Sequence, residues 1–305
     1  MFWEITLISQ NSLANTTMGS YDCDMLRSIT NKPADTGRWG CQQLQATSVG
    51  LELALPVAPL LADLPLRVSV VIPTLNEADN LPHVFAELPG GLHEVVVVDG
   101  HSTDGTVEVA RRLRPDVRVV QQSQRGKGDA LGCGFAACTG DVIVMLDADG
   151  STSPAEIPQF VEALAAGADF AKGSRYLPGG GSADLTWLRR TGNRLLSMSV
   201  NLLYGTKYTD LCYGYNAFRA SCLQSLLVDC PGFEVETLIN IRVARLGLKV
   251  AEVPSYEGRR INGMSNLHPM RDGLRILRVI VRERFCSPVP RAHEYTQATA
   301  AQQLT

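Results

Sequence analysis

Two carboxylates follow a short apolar run near the middle of the chain, in the segment VIVMLDADGST over residues 142–152. Asp147 and Asp149 are separated by one residue, and Gly150 comes next. Mg²⁺ and Mn²⁺ bind hard oxygen ligands of this kind, commonly one or two carboxylates together with the phosphates of a substrate. Such an ion would neutralise charge on a departing diphosphate. Asp and Gly are also common in ordinary turns, so the pair alone leaves a structural role open.

The segments around this pair alternate between apolar runs and stretches with helical spacing. Strands are predicted over residues 67–73, 93–100, 117–122, 141–147, 168–176 and 248–254. Helices are predicted over residues 76–88, 103–113, 126–140, 185–205, 233–247 and 270–285, the first capped by Asn76 and the fifth amphipathic. Apolar strands that alternate with helices predict an α/β fold, with a Rossmann-like, mostly parallel central sheet and helices on both faces.

Polar loops follow three of the predicted strands, over residues 73–77, 99–106 and 147–152. Ligands of parallel sheets bind beyond the carboxyl ends of the strands, so these loops are expected to meet around one crevice. The segment RGKGDA (125–130) adds two cations and two glycines at the start of a predicted helix, where backbone N–H groups attract phosphate. A plain turn with solvated charges is the alternative interpretation of RGKGDA.

Composition limits the classes of protein that fit. The 305 residues are 45% hydrophobic and carry a net charge of −3, which gives no overall attraction to nucleic acid. No stretch is apolar for long enough to span a membrane. The eight cysteines are too dilute for a disulfide framework and favour free thiols in the cytoplasm. The expected organisation is a poorly ordered extension over 1–65, one domain over 66–286 and a tail over 287–305.

Nine blocks between Arg67 and about Arg284 carry a family resemblance. They are VVIPTLNEADNL, VVVDGHSTDGT, RGKGDALGCGFAACTGD, MLDADGST, KGSRYLPGGG, DLCYGYNAFR, FEVETL, AEVPS and RRINGMSNL. In this order they resemble a family 2 glycosyltransferase of the GT-A fold, in the branch of dolichol-phosphate mannosyltransferases and bacterial polyprenyl-phosphate sugar transferases. The resemblance implies inverting transfer of a hexose from a nucleoside diphosphate sugar (GDP-mannose or UDP-glucose type) to a polyprenyl or dolichyl phosphate, with Mg²⁺ or Mn²⁺ as cofactor.

The resemblance also implies roles for individual residues. Asp147 and Asp149 would hold the metal and the diphosphate. The remaining donor-binding residues would be Pro73, Thr74, Asn76, Glu77, Asp99 and Lys127, although Glu77 could equally be a first-turn carboxylate favoured by the helix dipole. The acceptor phosphate would meet Arg175, Arg190, Arg194 and Arg260, with surface charge as the alternative for Arg190 and Arg194. The family usually has a second acid after Asp99 and a lysine in its last motif, where this chain has Gly100 and Asn266.

The acceptor decides whether the reaction needs a base. A sugar hydroxyl must lose a proton as it attacks, whereas a phosphate monoester is already ionised near neutral pH. The carboxylates on the acceptor side are Asp210, Glu234 and Glu236, but FEVET lacks the adjacent Glu-Asp pair of many hydroxyl-directed relatives. Glu236 is therefore a catalytic candidate, with Asp149 and Arg175, that could equally orient a cation. A hydroxyl acceptor and a non-catalytic sugar-nucleotide-binding protein stay open as alternatives.

The last predicted helix, over residues 270–285, is basic and amphipathic. Its sequence puts Leu274, Leu277, Ile280 and Val281 on one stripe and Arg271, Arg275, Arg278 and Arg282 on another. Such a helix suits peripheral contact with the inner face of the membrane. Packing on the sheet with a solvated basic face is the alternative.

Overall fold

The computed structural model describes residues 61, 64–226, 228–264 and 268–285, and a seven-stranded sheet lies at the centre of this part of the chain. Numbered along the chain, the strands of the sheet are β1 Val68–Thr74, β2 Glu94–Asp99, β3 Arg118–Gln121, β4 Val142–Met145, β5 Phe170–Ser174, β7 Asn216–Arg219 and β8 Val250–Pro254. Two short strands, β6 Gly181–Ser182 and β9 Tyr256–Glu257, pair separately.

The strand order is β3-β2-β1-β4-β7-β5-β8. Strands β3, β2, β1 and β4 are parallel to one another, and so are β5 and β8. Strand β7 lies between the two groups and is antiparallel to both of its neighbours. The predicted mostly parallel sheet is confirmed, and β7 is an addition that the apolar pattern did not predict.

Helices cover both faces of the sheet. They are α1 Leu81–Ala86, α2 Thr106–Leu113, α3 Lys127–Ala137, α4 Ile157–Ala165, α5 Trp187–Tyr204, α6 Leu223–Leu226, α7 Val235–Arg245 and α8 Pro269–Phe285. Side chains of α1, α2 and α4 pack in one apolar cluster, and those of α3, α5, α7 and α8 pack in a second. Alternate residues of β1 divide between the two clusters, Val70 belonging to the first and Val71 to the second. Burying each valine side chain contributes about 1.5–3 kcal/mol.

Two helices differ from their predicted form. The first begins at Leu81 rather than near Asn76, because Asn76 has a φ of 57°, in the left-handed region that a helix does not use. Helix α7 was predicted to be amphipathic, but its residues from Val235 to Val243 are all buried. It is buried because α5 and α8 both pack against it.

The predicted N-terminal extension and C-terminal tail lie almost entirely outside the described residues. Leu61, which falls in the predicted extension, is 2% exposed and packs in the first apolar cluster with the partly buried Leu64. Within the described part of the chain, no helix has both the length and the hydropathy of a membrane span.

Candidate active site

The three polar loops do meet, because β1 lies between β2 and β4 in the sheet and all three strands run the same way. Thr74 and Asp99 are register partners at the ends of β1 and β2. Asp147 follows the end of β4 by two residues. We call the space beyond these ends the strand-end crevice. Pro73 and Thr74 are the last two residues of β1 at this edge, and the Thr74 hydroxyl donates to the carbonyl of Val98 at 3.3 Å.

Lys127, the first residue of α3, bridges two carboxylates in the crevice. Its Nζ lies 2.6 Å from Asp147 Oδ1 and 2.7 Å from Glu236 Oε1, the latter on the first turn of α7. Burial acts to lower the pKa of Lys127, but the two carboxylates more than offset it and hold that pKa above its ordinary value. Burial raises the pKa of Glu236, and Lys127 opposes that rise. The amine stays charged and neutralises both partners.

Arg260 makes a second bridge, between Asp149 and Glu77. Its guanidinium lies 3.4 Å from an Asp149 oxygen and 3.0 Å from Glu77 Oε1. Glu77 is only 7% exposed, and burial raises its pKa despite the nearby arginine. The carboxylates of Asp147 and Asp149 are therefore each paired with a different cation, one from a helix start and one from a loop.

The loop that carries Arg260, residues 258–263, is fixed over the crevice by backbone contacts. The Ile261 N–H donates to the Asp149 carbonyl at 3.1 Å, and the Asn262 N–H donates to Asn80 Oδ1 at 2.9 Å. Ile261 also covers Gly150, where an added Cβ would come within 2.4 Å of the Ile261 Cδ1 atom. Gly150 has a φ of 72°, so its place in the DADG segment requires glycine on both counts.

The predicted nucleotide loop is held together by its own side chains. Asp99 accepts hydrogen bonds from the Ser102 N–H and from Gln121 Nε2, each at 3.1 Å. The Asn76 side chain accepts from the Thr103 N–H at 2.9 Å, which joins the loop after β1 to the loop after β2. These contacts keep Asn76 and Asp99 beside the crevice; that they bind the nucleoside stays a prediction.

Close packing requires both glycines of RGKGDA. An added Cβ on Gly126 would lie 2.1 Å from the Pro231 carbonyl oxygen, and one on Gly128 would lie 1.8 Å from that of Cys230. The Gly128 N–H already donates to the Pro231 carbonyl at 2.9 Å. This donor is therefore not open to phosphate, and contact between Lys127 and a bound donor stays a prediction.

Arg175 lies at the end of β5 in a buried ionic network. Its guanidinium contacts Asp210 through two nitrogens, at 2.7 and 2.9 Å, and Glu257 through the third at 2.9 Å. Asn193 of α5 donates to Asp210 at 3.0 Å, and the ring of Tyr213 lies 4.8 Å from the guanidinium carbon. Sequence reasoning missed Glu257, whose spacing from Arg175 carries no signal. All three nitrogens have carboxylate partners, so the predicted contact with acceptor phosphate would need this network to rearrange.

Arg190 and Arg194 are not part of this network. Both are exposed on α5, whereas Asn193 between them in sequence faces inward. Of the residues predicted from the sequence, the structure brings Lys127, Asp147, Asp149, Glu77, Glu236 and Arg260 together in the crevice. It sets Arg175 in a separate network and leaves Arg190 and Arg194 on the surface.

The crevice suits a divalent ion that arrives with a phosphate ligand. Within the described residues, no group of three or more His, Cys, Asp or Glu side chains forms a complete metal cage. Asp147 and Asp149 do supply two carboxylates, with 31% and 21% of their side chains exposed. Such an ion takes its remaining ligands from diphosphate and water, so this donor set fits Mg²⁺ or Mn²⁺.

Comparison with known proteins agrees with this architecture. The family model described as glycosyl transferase family 2 matches residues 69–227. Polyprenol monophosphomannose synthase of Mycolicibacterium smegmatis is 35% identical over 214 residues, which cover 66% of this chain and 81% of the relative. Dolichol-phosphate mannosyltransferase of Pyrococcus furiosus is 34% identical, over 66% of this chain and 59% of the relative.

Solved structures show the same fold. Glucosyl-3-phosphoglycerate synthase of Mycobacterium tuberculosis, in complex with Mn²⁺, UDP-glucose and glycerol 3-phosphate, is 25% identical with a TM-score of 0.58. The likeness covers 75% of this chain and 82% of that one. The fold is therefore the GT-A fold, as the nine sequence blocks implied.

Proposed function

The chain belongs to glycosyltransferase family 2, and from that premise we propose that it transfers a hexose from a nucleoside diphosphate sugar to a polyprenyl phosphate. In this reaction an oxygen of the acceptor phosphate forms a bond to the anomeric carbon. The bond from that carbon to the donor diphosphate breaks, so the configuration inverts and the nucleoside diphosphate leaves.

The observation that carries the proposal is the pairing of the carboxylates that could act as a base. Glu236 is paired with Lys127 at 2.7 Å, and Asp210 is paired with Arg175 at 2.7 Å. Glu234 turns back to accept from the Gly232 N–H at 3.2 Å. In each of the three, at least one carboxylate oxygen is already engaged by a protein donor. An acceptor that is already ionised needs none of them, and a phosphate meets that requirement.

The side chains of the crevice have separate roles in this proposal. Asp147 and Asp149 would hold Mg²⁺ or Mn²⁺, which supplies positive charge to the departing diphosphate. Lys127 and Arg260 bring two further cations to the same place and offset the charge of the diphosphate. Asp99 and the segment 73–77 hold the nucleoside. Arg175, Arg190 and Arg194 are proposed to attract the acceptor phosphate.

We propose that the reaction takes place on the cytoplasmic side of the membrane. The five described cysteines are free thiols, which fits a reducing compartment. Fractionation of cells that produce the tagged protein tests this: recovery in a secreted or periplasmic fraction would contradict it.

The test of the proposed function is an acceptor comparison. Purified protein is incubated with radiolabelled GDP-mannose or UDP-glucose, Mg²⁺ or Mn²⁺, and either undecaprenyl phosphate or 3-phosphoglycerate. We expect label in the organic phase with undecaprenyl phosphate, and none with Asp149→Asn. Transfer to 3-phosphoglycerate alone would favour the hydroxyl alternative, which the solved synthase motivates. Nucleotide binding without transfer to either acceptor would favour a non-catalytic binding protein.

A further inference from the structure

Helix α5 exposes a wide apolar stripe on the side opposite its buried face. It packs inward through Asn193, Ser197 and Val200. On the outward side, side chains with exposures between 52% and 85% are Trp187, Leu188, Leu195, Met198 and Leu202. Neither the sheet nor the crevice explains this stripe.

Helix α8 has the same arrangement. It buries Ile276, Val279 and Ile280 against the domain. Apolar side chains with exposures between 45% and 83% are Met270, Leu274, Leu277, Val281 and Phe285. The sequence grouped Ile280 with Leu274, Leu277 and Val281 on one apolar stripe. The structure buries Ile280 and exposes the other three, because the inward face of the helix is also apolar.

The two stripes lie on helices that touch each other. The Tyr204 hydroxyl at the end of α5 donates to the Ile280 carbonyl of α8 at 2.7 Å. We call the ten exposed apolar side chains of the two helices the α5/α8 face. Exposed apolar side chains are usually scattered singly on a soluble monomer, whereas groups of them on adjoining helices usually mark interaction sites.

Arginines border the α5/α8 face. Arg190 and Arg194 are exposed beside the stripe of α5, and Arg271 and Arg278 are exposed on α8. The whole chain has a net charge of −3, so this positive charge is a local concentration. An apolar stripe with arginine borders matches a membrane interface, where acyl chains lie beneath anionic headgroups.

We propose that the α5/α8 face docks on a lipid bilayer that carries anionic headgroups. The role of this docking rests on the proposed function, since a polyprenyl phosphate presents its headgroup at the surface of a bilayer. The inner side of α5 supplies Asn193 to the Arg175 network, and α8 packs on α7, which carries Glu236. A helix is about 10 Å across, so docking brings headgroups to within about one helix diameter of Asn193 on the inner side of α5.

A second copy of the chain is the other occupant that an apolar face could take. In a two-fold dimer the same patch meets itself, so the arginine borders would face each other. Like charges at such an interface are unfavourable. The charge of the borders therefore favours an anionic bilayer over self-association.

Trp187, 77% exposed on the α5/α8 face, gives a direct readout. The chain has three tryptophans, so Trp3→Phe/Trp39→Phe leaves Trp187 as the single reporter. This full-length protein is titrated with vesicles of phosphatidylcholine alone or with added phosphatidylglycerol. With the anionic vesicles we expect a blue shift, quenching by brominated acyl chains, and weakening as salt is raised. No spectral change with either vesicle would overturn the proposal.

A charge-matched pair of variants separates docking from general electrostatics. Leu202→Glu/Phe285→Glu puts two carboxylates on the α5/α8 face and is expected to weaken vesicle binding by at least about tenfold. Arg112→Gln/Leu113→Glu makes the same change in net charge on α2, across the sheet, and is expected to change binding less than about twofold. Equal weakening by both variants would contradict docking through this face.

The remaining outcomes are also decisive. A blue shift that grows with protein concentration in the absence of vesicles would mean that a second copy covers the face, and the proposal would fail. Vesicle binding without sugar transfer to undecaprenyl phosphate would reject the proposed acceptor and keep the surface. Transfer to detergent-solubilised acceptor without vesicle binding would keep the proposed acceptor and reject docking through the α5/α8 face.

Discussion

Lys127 Nζ lies 2.6 Å from Asp147 and 2.7 Å from Glu236, so one ammonium group holds together the end of β4 and the start of α7. It does so with only 13% of its side chain exposed. Because the three groups share one positive charge, a change in any of them alters the other two. The behaviour of this trio separates a structural role for Glu236 from a role as a base.

Lys127→Met removes the cation from this trio. Removing one partner of a buried ion pair leaves an uncompensated charge, so we expect the free energy of unfolding to fall by about 3 kcal/mol near neutral pH. Urea denaturation of the variant and the wild type measures this. The double variant Lys127→Met/Glu236→Gln should recover part of the loss, since the stranded carboxylate is gone. No recovery would mean that the carboxylate is not the cause.

The same variant predicts a pH dependence. Burial already raises the pKa of Glu236 above its ordinary value of 4.5, and loss of Lys127 removes an opposing effect. A carboxyl group whose pKa is higher in the folded state stabilises the fold most below its unfolded pKa and loses this contribution as pH rises through the folded value. The deficit of Lys127→Met should therefore be small near pH 4 and grow towards pH 8. A deficit independent of pH would contradict this.

Asp149→Asn tests the carboxylate pair at the end of β4. Loss of a hard anionic ligand should lower kcat/KM by about 100-fold or more, and should remove the increase in Tm that Mn²⁺ adds to that given by nucleoside diphosphate. The matched control is Asp141→Asn at the amino end of the same strand, where the carboxylate pairs with exposed Arg67. A similar loss in both variants would show that the effect is not specific to the crevice.

Arg260→Gln tests the loop over the crevice, because it breaks the contacts to Asp149 and Glu77 together. We expect KM for the donor to rise about tenfold with a smaller change in kcat, since the loop supplies charge for binding the diphosphate. The neighbouring Arg259 is exposed, and Arg259→Gln should change KM less than about twofold. An equal rise in KM for the donor in both variants would mean that the change in net charge, and not the contacts of Arg260, causes it.

Gly150→Ala should displace the same loop by steric means. The new Cβ would overlap Ile261. The alanine would also have to adopt the left-handed backbone conformation of Gly150, which should lower the free energy of unfolding by about 1–2 kcal/mol. The double variant Gly150→Ala/Ile261→Ala removes the overlap but leaves the backbone strain. Its KM for the donor should return towards the wild-type value more completely than its free energy of unfolding does. Equal recovery of the two quantities would contradict the assignment of one effect to the overlap and the other to the backbone.

Arg175→Lys tests the buried network without removing its charge. A lysine cannot reproduce the two-nitrogen contact with Asp210 and the third contact with Glu257, so the free energy of unfolding should fall by about 2 kcal/mol or more. Arg67→Lys, in an exposed pair, should leave the urea midpoint almost unchanged. A larger effect at Arg67 would contradict the importance of the buried network.

The parts of the site that sequence predicted are those with local signals. β-branched runs predicted β1, β2 and β4, and the carboxylates after them lie at one sheet edge because parallel strands end together. Nothing local predicts that Arg260 reaches Glu77, since 183 residues separate them in the chain. The same holds for Arg175 and Glu257, which are 82 residues apart and meet only after β5 and β8 pair.

Strand β7 was missed for a related reason. Asn216–Arg219 has four residues, two of them polar, so its sequence lacks the apolar run of the parallel strands. It becomes a strand because both neighbours offer it backbone partners. Its buried faces are filled by Ala217 and Phe218. Pairing with the two neighbouring strands therefore determines the conformation of β7. A short stretch of sequence does not show which strands will become its neighbours.

Because β7 is reversed, two sets of segments meet at the crevice edge of the sheet. A strand that runs backwards brings its beginning to the crevice, so the connection from α5, which includes Asp210 and Tyr213, arrives there beside the end of β4. The segments that follow β1, β2 and β4 form the other set. We therefore expect that an exchange of residues 175–215 between two relatives would change which acceptor is used. The preference for the nucleotide of the donor should stay the same.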